Sequence, residues 1–261
     1  MNSITIQEDE REITLLQKLL IPVCFVRSLI YSILYLPTLI LASTIAVICN
    51  IVFNSRAVDD WIIEMWGRGS CFFSGVNVRV IGSENIPKDS GCIFLFNHSS
   101  LYDVFAIQGF VKRGLRFGAK IELFKIPMFG MIMRRVGMLP IDRRNRSAVL
   151  RIYEMARDLI AKGNCYALAP EGTRSETNKL APFKTGPFIL GIEAQAPLVP
   201  VVVEGASEIL PKGAFLPNAT RWTTTIQLRI LPPISTKNYT LERRYELQAI
   251  VRQEMLKYLP E

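Results

Sequence analysis

Histidine is almost missing from this chain: His98 is the only one among 261 residues. Acyl, phosphoryl or proton transfer near neutral pH usually depends on an imidazole base, so chemistry of that kind has a single place to occur. The same scarcity, with no clustered carboxylates, leaves no metal site expected. The five cysteines, Cys24, Cys49, Cys71, Cys92 and Cys165, are odd in number, irregular in spacing and mostly set in apolar runs. That pattern excludes a disulfide framework and a zinc site and reads as buried thiols in a reducing compartment. No repeat or low-complexity tract interrupts the chain, so nothing asks for a second catalytic domain. Charge is absent between Arg27 and Arg56.

That uncharged stretch is longer than the ~20 residues a spanning helix needs, which makes membrane association the expectation. Pro37 divides it, and Trp61, Ile62, Met65 and Trp66 then form an amphipathic segment suited to an interface. One spanning helix, or two helices lying in one leaflet, would both fit. A cleavable signal does not: the apolar run is too long, follows a mixed acidic and basic leader, and lacks a small-x-small cleavage pattern. The net charge of +8 suits an anionic lipid surface or a phosphate-rich ligand. Nucleic acid is the competing claimant on positive charge, but no recognition motif is present and the anchor argues against it.

Beyond the anchor, strand-like runs (76–81, 92–96, 115–119, 138–141, 165–169, 198–203 and 224–230) alternate with helical ones (101–110, 147–162, 186–194 and 241–259). The expected fold class is therefore α/β: a mostly parallel sheet flanked by helices, preceded by an N-terminal hydrophobic membrane-anchoring helical segment. The expected division is residues 1–70 for the membrane-associated helices and 71–261 for the α/β domain. The segment from Lys120 to Arg135, with Pro127 and Gly130 in apolar surroundings, is expected to form helices that, with the anchor, wall a channel.

His98 lies in Asn97-His98-Ser99-Ser100-Leu101-Tyr102-Asp103, between a buried strand and the helix that follows it. Five residues along one helix amount to roughly 500°, so His98 and Asp103 share a face only if His98 precedes the helix. Ser99 or Ser100 is then the N-cap, and Asp103, in the first turn, reaches back to the imidazole. An Asp on one ring nitrogen fixes the tautomer and leaves the other as acceptor, as in a His-Asp dyad. The blander alternative is structural: Ser100-x-x-Asp103 also matches a capping box.

Three further motifs follow at the ends of apolar runs: Gly137-Met138-Leu139-Pro140-Ile141-Asp142-Arg143, Pro170-Glu171-Gly172-Thr173-Arg174-Ser175, and Leu198-Val199-Pro200-Val201-Val202-Val203. With the His98 segment, their order and spacing resemble the four sequence blocks of the glycerolipid acyltransferase superfamily, and of its bacterial lysophosphatidic acid acyltransferase type in particular. The similarity extends over roughly residues 70 to 260, and four ordered blocks are far more specific than one. Ala169, where the family usually has an aromatic, and Met138-Leu139-Pro140 depart from the pattern beside the expected substrate surface.

The resemblance implies transfer of a fatty acyl group from acyl-CoA or acyl carrier protein to the free hydroxyl of 1-acylglycerol-3-phosphate, giving phosphatidic acid. Acyl transfer to an alcohol needs a base for the hydroxyl, which His98 with Asp103 would supply, and no nucleophile elbow lies near the histidine. The acceptor phosphate needs cations, and Arg143 and Arg174 are the first candidates, with Lys120 third. Glu171, Gly172 and Thr173 are read as the acceptor-binding loop. Gly172 would let backbone N–H groups approach an anion, and Glu171 would either pair with Arg174 or sit near the acceptor hydroxyls. The Val199–Val203 run reads as a buried strand, with a binding role through Pro200 at most.

No cofactor is expected beyond the thioester co-substrate, and no metal. The expected partners are membrane phospholipids, the lysophospholipid acceptor and the acyl donor, with the α/β domain at the cytoplasmic face. The alternatives are the same chemistry on glycerol-3-phosphate, another lysophospholipid or a lyso-ornithine lipid, a thioesterase, and a catalytically silent basic membrane-binding module.

Overall fold

A computed structural model describes residues 15–259, Asn178 excepted; the charged leader before Leu15 lies outside the described residues. Two long helices come first, α1 (Leu15–Phe53) and α2 (Arg56–Phe73). Then follow β1 (Val76–Ile81), β2 (Ile93–Phe96), α3 (Leu101–Phe110), β3 (Leu115–Lys120), α4 (Phe129–Arg135), β4 (Leu139–Ile141) and α5 (Arg146–Ala161). The chain closes with β5 (Cys165–Leu168), α6 (Gly186–Glu193), β6 (Leu198–Glu204), α7 (Ala206–Ile209), β7 (Thr224–Ile230) and α8 (Arg244–Leu256).

The strands form one seven-stranded sheet in the order β1-β7-β6-β2-β5-β3-β4. Every neighbouring pair is parallel except β6 with β7, which is antiparallel. Strands β2, β5 and all of β6 but its last residue are buried. A strand covered on both faces has no reason to alternate apolar with polar, which is why Ile93-Phe94-Leu95-Phe96 reads as a continuous apolar run. Phe94 and Phe96 face one core with Phe105, Phe117 and Val201. Ile93 and Leu95 face the other with Tyr153, Phe188 and Val251. Each of these side chains contributes about 1.5–3 kcal/mol on burial. Pro200 is buried within β6.

The expected break at Pro37 is not there: α1 runs continuously through Pro22 and Pro37. A proline costs the helix one carbonyl partner, here that of Ile33, and neighbouring contacts can hold the turn. Thr38 Oγ1 donates to the carbonyls of Leu34 and Tyr35 at 2.7 and 3.0 Å, and Tyr35 packs on Phe105 of α3 with ring centroids 6.3 Å apart. One side of α1 enters the core through Ala46 and Val47, while Ile33, Leu41 and Val52 are more than 60% exposed. Residues 20–53 are long and apolar enough to cross a bilayer. The last helix is shorter than expected, because residues 240–244 form a turn in which Arg243 and Arg244 donate to the Thr240 and Leu241 carbonyls.

Candidate active site

The site lies where adjacent parallel strands end together. The loops that follow β2, β5 and β4 carry His98, Glu171–Arg174 and Arg143, Lys120 is the last residue of β3, and the strands β2, β5, β3 and β4 are neighbours in that order. Parallel α/β sheets gather their functional loops at this edge.

His98 precedes α3 and its ring is mostly buried, with 14% of the side chain exposed. Its Nδ1 stands 2.8 Å from Asp103 Oδ2. A carboxylate only accepts, so Nδ1 carries the hydrogen, and in the neutral ring Nε2 then keeps its lone pair. The same Oδ2 accepts the backbone N–H groups of Ser99 and Ser100 at 2.7 and 2.8 Å, and Ser100 Oγ accepts from the N–H of Tyr102. The dyad and the capping box are therefore not alternatives: Ser100 is the N-cap, and one fully buried carboxylate oxygen both closes the cap and holds the imidazole. Phe96 packs edge-on against the ring, with centroids 5.6 Å apart.

Glu171 does not pair with Arg174. Its Oε1 accepts the backbone N–H of His98 at 2.8 Å and its Oε2 that of Ala181 at 2.9 Å. In return the Ser175 N–H donates to the His98 carbonyl at 2.7 Å. The loop after β5 thus clamps the backbone of the histidine on both sides. Burial raises the Glu171 carboxyl above its ordinary range, and the two N–H groups pull the other way. Gly172 adopts a left-handed φ of 76° that favours glycine, but its own N–H is bonded to the Ala169 carbonyl and is not offered to an anion. Thr173 is exposed.

Arg143 comes close enough to Arg174 to feel its charge. Burial lowers the Arg143 guanidinium from its ordinary pKa, Glu122 opposes this, and the like charge of Arg174 adds to the depression. Two cations sharing a partly desolvated region are mutually unfavourable until an anion joins them. Lys120 lies at the end of β3, paired in register with Ile141 of β4, and its Nζ is 3.4 Å from Glu122. One edge of the sheet thus holds a buried-side imidazole with a free Nε2 lone pair and, a few loops away, a group of cations.

The Acyltransferase family model matches residues 77–204, a span that contains every one of these residues. The 1-acyl-sn-glycerol-3-phosphate acyltransferase of Saccharomyces cerevisiae is 32% identical over 210 residues, covering 76% of this chain and 67% of the yeast protein. The chain belongs to the 1-acyl-sn-glycerol-3-phosphate acyltransferase family. The chloroplastic family member BAT2 of Brassica napus is 29% identical over 161 residues, or 61% of this chain and 46% of that protein. This chain spans between 46% and 67% of the length of four curated relatives that it matches. The fold agrees as well. The crystal structure of the LPA acyltransferase PlsC from Thermotoga maritima superposes with a TM-score of 0.72 at 27% identity, covering 92% of this chain and 95% of that one.

Two residues of this family member's site were not singled out in its sequence as site residues. Asn97 locks the end of β2 to β6: its Nδ2 donates to the Val203 carbonyl at 2.8 Å and its Oδ1 accepts the Val203 N–H at 2.7 Å. Ser175 contributes through its backbone, which no side-chain pattern announces. The clamp has a testable consequence. Glu171→Ala leaves two N–H groups without their acceptor, about 1–3 kcal/mol for each one that water cannot reach. Calorimetry is expected to record a lower Tm and kinetics a lower kcat, because the backbone under His98 is released; an unchanged Tm and kcat would leave the clamp without a role.

Proposed function

We propose that this protein transfers a fatty acyl group from an acyl thioester, acyl-CoA or acyl carrier protein, to the free hydroxyl of 1-acylglycerol-3-phosphate, giving phosphatidic acid. The observation that carries the proposal is the His98–Asp103 pair at 2.8 Å, standing at the same sheet edge as Arg143, Arg174 and Lys120. In this mechanism Nε2 of His98 takes the proton of the acceptor hydroxyl as its oxygen attacks the thioester carbonyl. The tetrahedral intermediate collapses with loss of the thiolate, which recovers the proton from the imidazolium. Ester and thiol form, and the histidine is regenerated without an acyl-enzyme.

Asp103 stabilises the transient imidazolium and holds its ring. Arg143 and Arg174 bind the acceptor phosphate, which supplies the anion that their mutual repulsion calls for. The acceptor is presented from a bilayer in which the outer face of α1 lies, with the α/β domain at the cytoplasmic surface. The donor's acyl chain runs along the apolar wall between α1 and the 120–135 segment, where Trp66 of α2 packs on Phe129.

The test is acyl transfer by the purified full chain in detergent, with acyl-CoA and acyl carrier protein as donors and lysophosphatidic acid, glycerol-3-phosphate and lysophosphatidylglycerol as acceptors. Phosphatidic acid is the expected product; transfer only to another acceptor would replace the substrate, and no transfer with any pair would overturn the reading. Arg174→Ala is expected to raise the acceptor KM about 10- to 100-fold, the loss of a charge-assisted contact of about 1.5–3 kcal/mol. An unchanged KM would remove Arg174 from the phosphate site.

A further inference from the structure

We infer that the loop between α7 and β7, residues 210–223, is a second bilayer-docking element, inserting Phe215 and Trp222 into the lipid interface beside the mouth of the site. The inference rests on the membrane-bound reading proposed above. The rings themselves are the first observation. Phe215 is 86% exposed and Trp222 52% exposed, and Phe72 and Phe73 at the end of α2 are 77% and 66% exposed. Aromatic side chains left in water at this density mark a surface with a partner, and rings of this kind settle at the level of lipid headgroups.

The loop is not loose, so the exposure is built in. Its backbone is fixed from three sides. Arg27 of α1 donates to the carbonyls of Trp222 at 2.7 Å and Arg221 at 3.0 Å, and its guanidinium lies 4.9 Å from the Trp222 ring. One and a half turns further along α1, Ser32 Oγ donates to the Phe215 carbonyl at 2.8 Å. Asn218, buried and in a left-handed conformation, donates to the Ser74 carbonyl at 2.8 Å and accepts from Thr224 Oγ1 at 2.6 Å. These bonds make the loop continuous with the outer face of α1, on which Leu29, Ile30, Ile33 and Leu36 are exposed. One partner covers both surfaces, and its chemistry is that of a phospholipid bilayer.

The other end of the loop reaches the site. The Leu210 carbonyl accepts from Ser100 Oγ at 2.9 Å, and Lys212 Nζ pairs with Glu176 Oε1 at 2.9 Å. Ser100 is the cap of the helix that carries Asp103, and Glu176 follows Arg174 by two residues. The loop therefore bridges the lipid surface and the two loops that would receive the lysolipid. In that position it serves transfer of the acceptor from bilayer to site and leaves the chemical step alone.

The experiment uses the full chain bound to vesicles of phosphatidylcholine and phosphatidylglycerol. With Trp61→Phe and Trp66→Phe, Trp222 is the only remaining tryptophan of three, and its emission is expected to be quenched by lipids brominated along the acyl chain. Phe215→Asp, made in the otherwise unaltered chain, is expected to raise the apparent KM for vesicle-borne acceptor about fivefold or more, with kcat for a short-chain, monomeric acceptor unchanged. Phe215→Trp should retain the unaltered KM. Trp222 emission indifferent to brominated lipid, or a Phe215→Asp variant with unaltered KM on vesicles, overturns the inference. If the unaltered protein acylates neither form of acceptor, the proposed function fails, while the quenching still decides the docking surface.

Discussion

Replacing His98 with alanine is expected to lower acyl transfer by at least about 10²–10⁴-fold, the usual contribution of a positioned general base. The fold should survive. The contacts that locate residue 98, its N–H to Glu171 and its carbonyl from Ser175, are made by the backbone and do not depend on the ring. Removing the imidazole takes one of three donors from Asp103 Oδ2 and leaves the other two, Ser99 and Ser100 N–H, in place. The stability loss is then about 1–2 kcal/mol, a net hydrogen bond and a little packing on Phe96. Steady-state kinetics beside a thermal melt and a vesicle flotation separate these effects: turnover collapses, while Tm changes by a few degrees and membrane binding is kept. Turnover within a few-fold of the unaltered protein would sink the base assignment.

Much of this was legible in the sequence because of where the strands lie. The residues of β2, β5 and β6 stand within a residue or two of their expected limits because these strands are covered on both faces, which demands short unbroken apolar runs, whereas β1 and β7 are announced by the alternation of strands covered on one face. The gathering of His98, Lys120, Arg143 and Arg174 follows from a parallel sheet once those strands are known. What escaped were features carried by backbone groups or by three-dimensional contact. The partners of Glu171 are the N–H groups of residues 98 and 181, and an N–H has no letter in the sequence. Pro37 looked like a break because the neighbours that hold its turn, Thr38 and Phe105, act after folding. Cys92 and Cys165, free and apparently unrelated in spacing, meet thiol to thiol at 3.3 Å where β2 and β5 begin. That contact depends on strand order, which spacing does not encode.

Asp103 offers the sharpest separation of charge from structure, because one oxygen performs both its tasks. In Asp103→Asn the amide oxygen can occupy the place of Oδ2 and keep all three N–H donors, those of His98, Ser99 and Ser100. Its NH₂ then takes the position of Oδ1, which is buried and makes no hydrogen bond with the protein. The cap of α3 should therefore persist, and Tm should fall by little. The negative charge, however, is gone, so the imidazolium formed as the hydroxyl loses its proton is no longer stabilised. Activity is expected to drop by about 10²–10⁴-fold, the upper figure matching the loss seen when a catalytic Asp-His pair is neutralised in serine proteases. Asp103→Ala removes the acceptor altogether. Two backbone N–H groups and the ring lose their partner at the buried start of a helix, at a cost of about 1–3 kcal/mol for each donor left buried and unpaired. Alanine should thus lower both Tm and kcat, whereas asparagine lowers kcat alone. If asparagine kept near-normal turnover, the carboxylate would be a helix cap and no more, and the partnership with His98 would have no catalytic content. Equal losses of Tm in the two variants would show instead that the buried charge itself, rather than the hydrogen bonds it accepts, holds the start of α3.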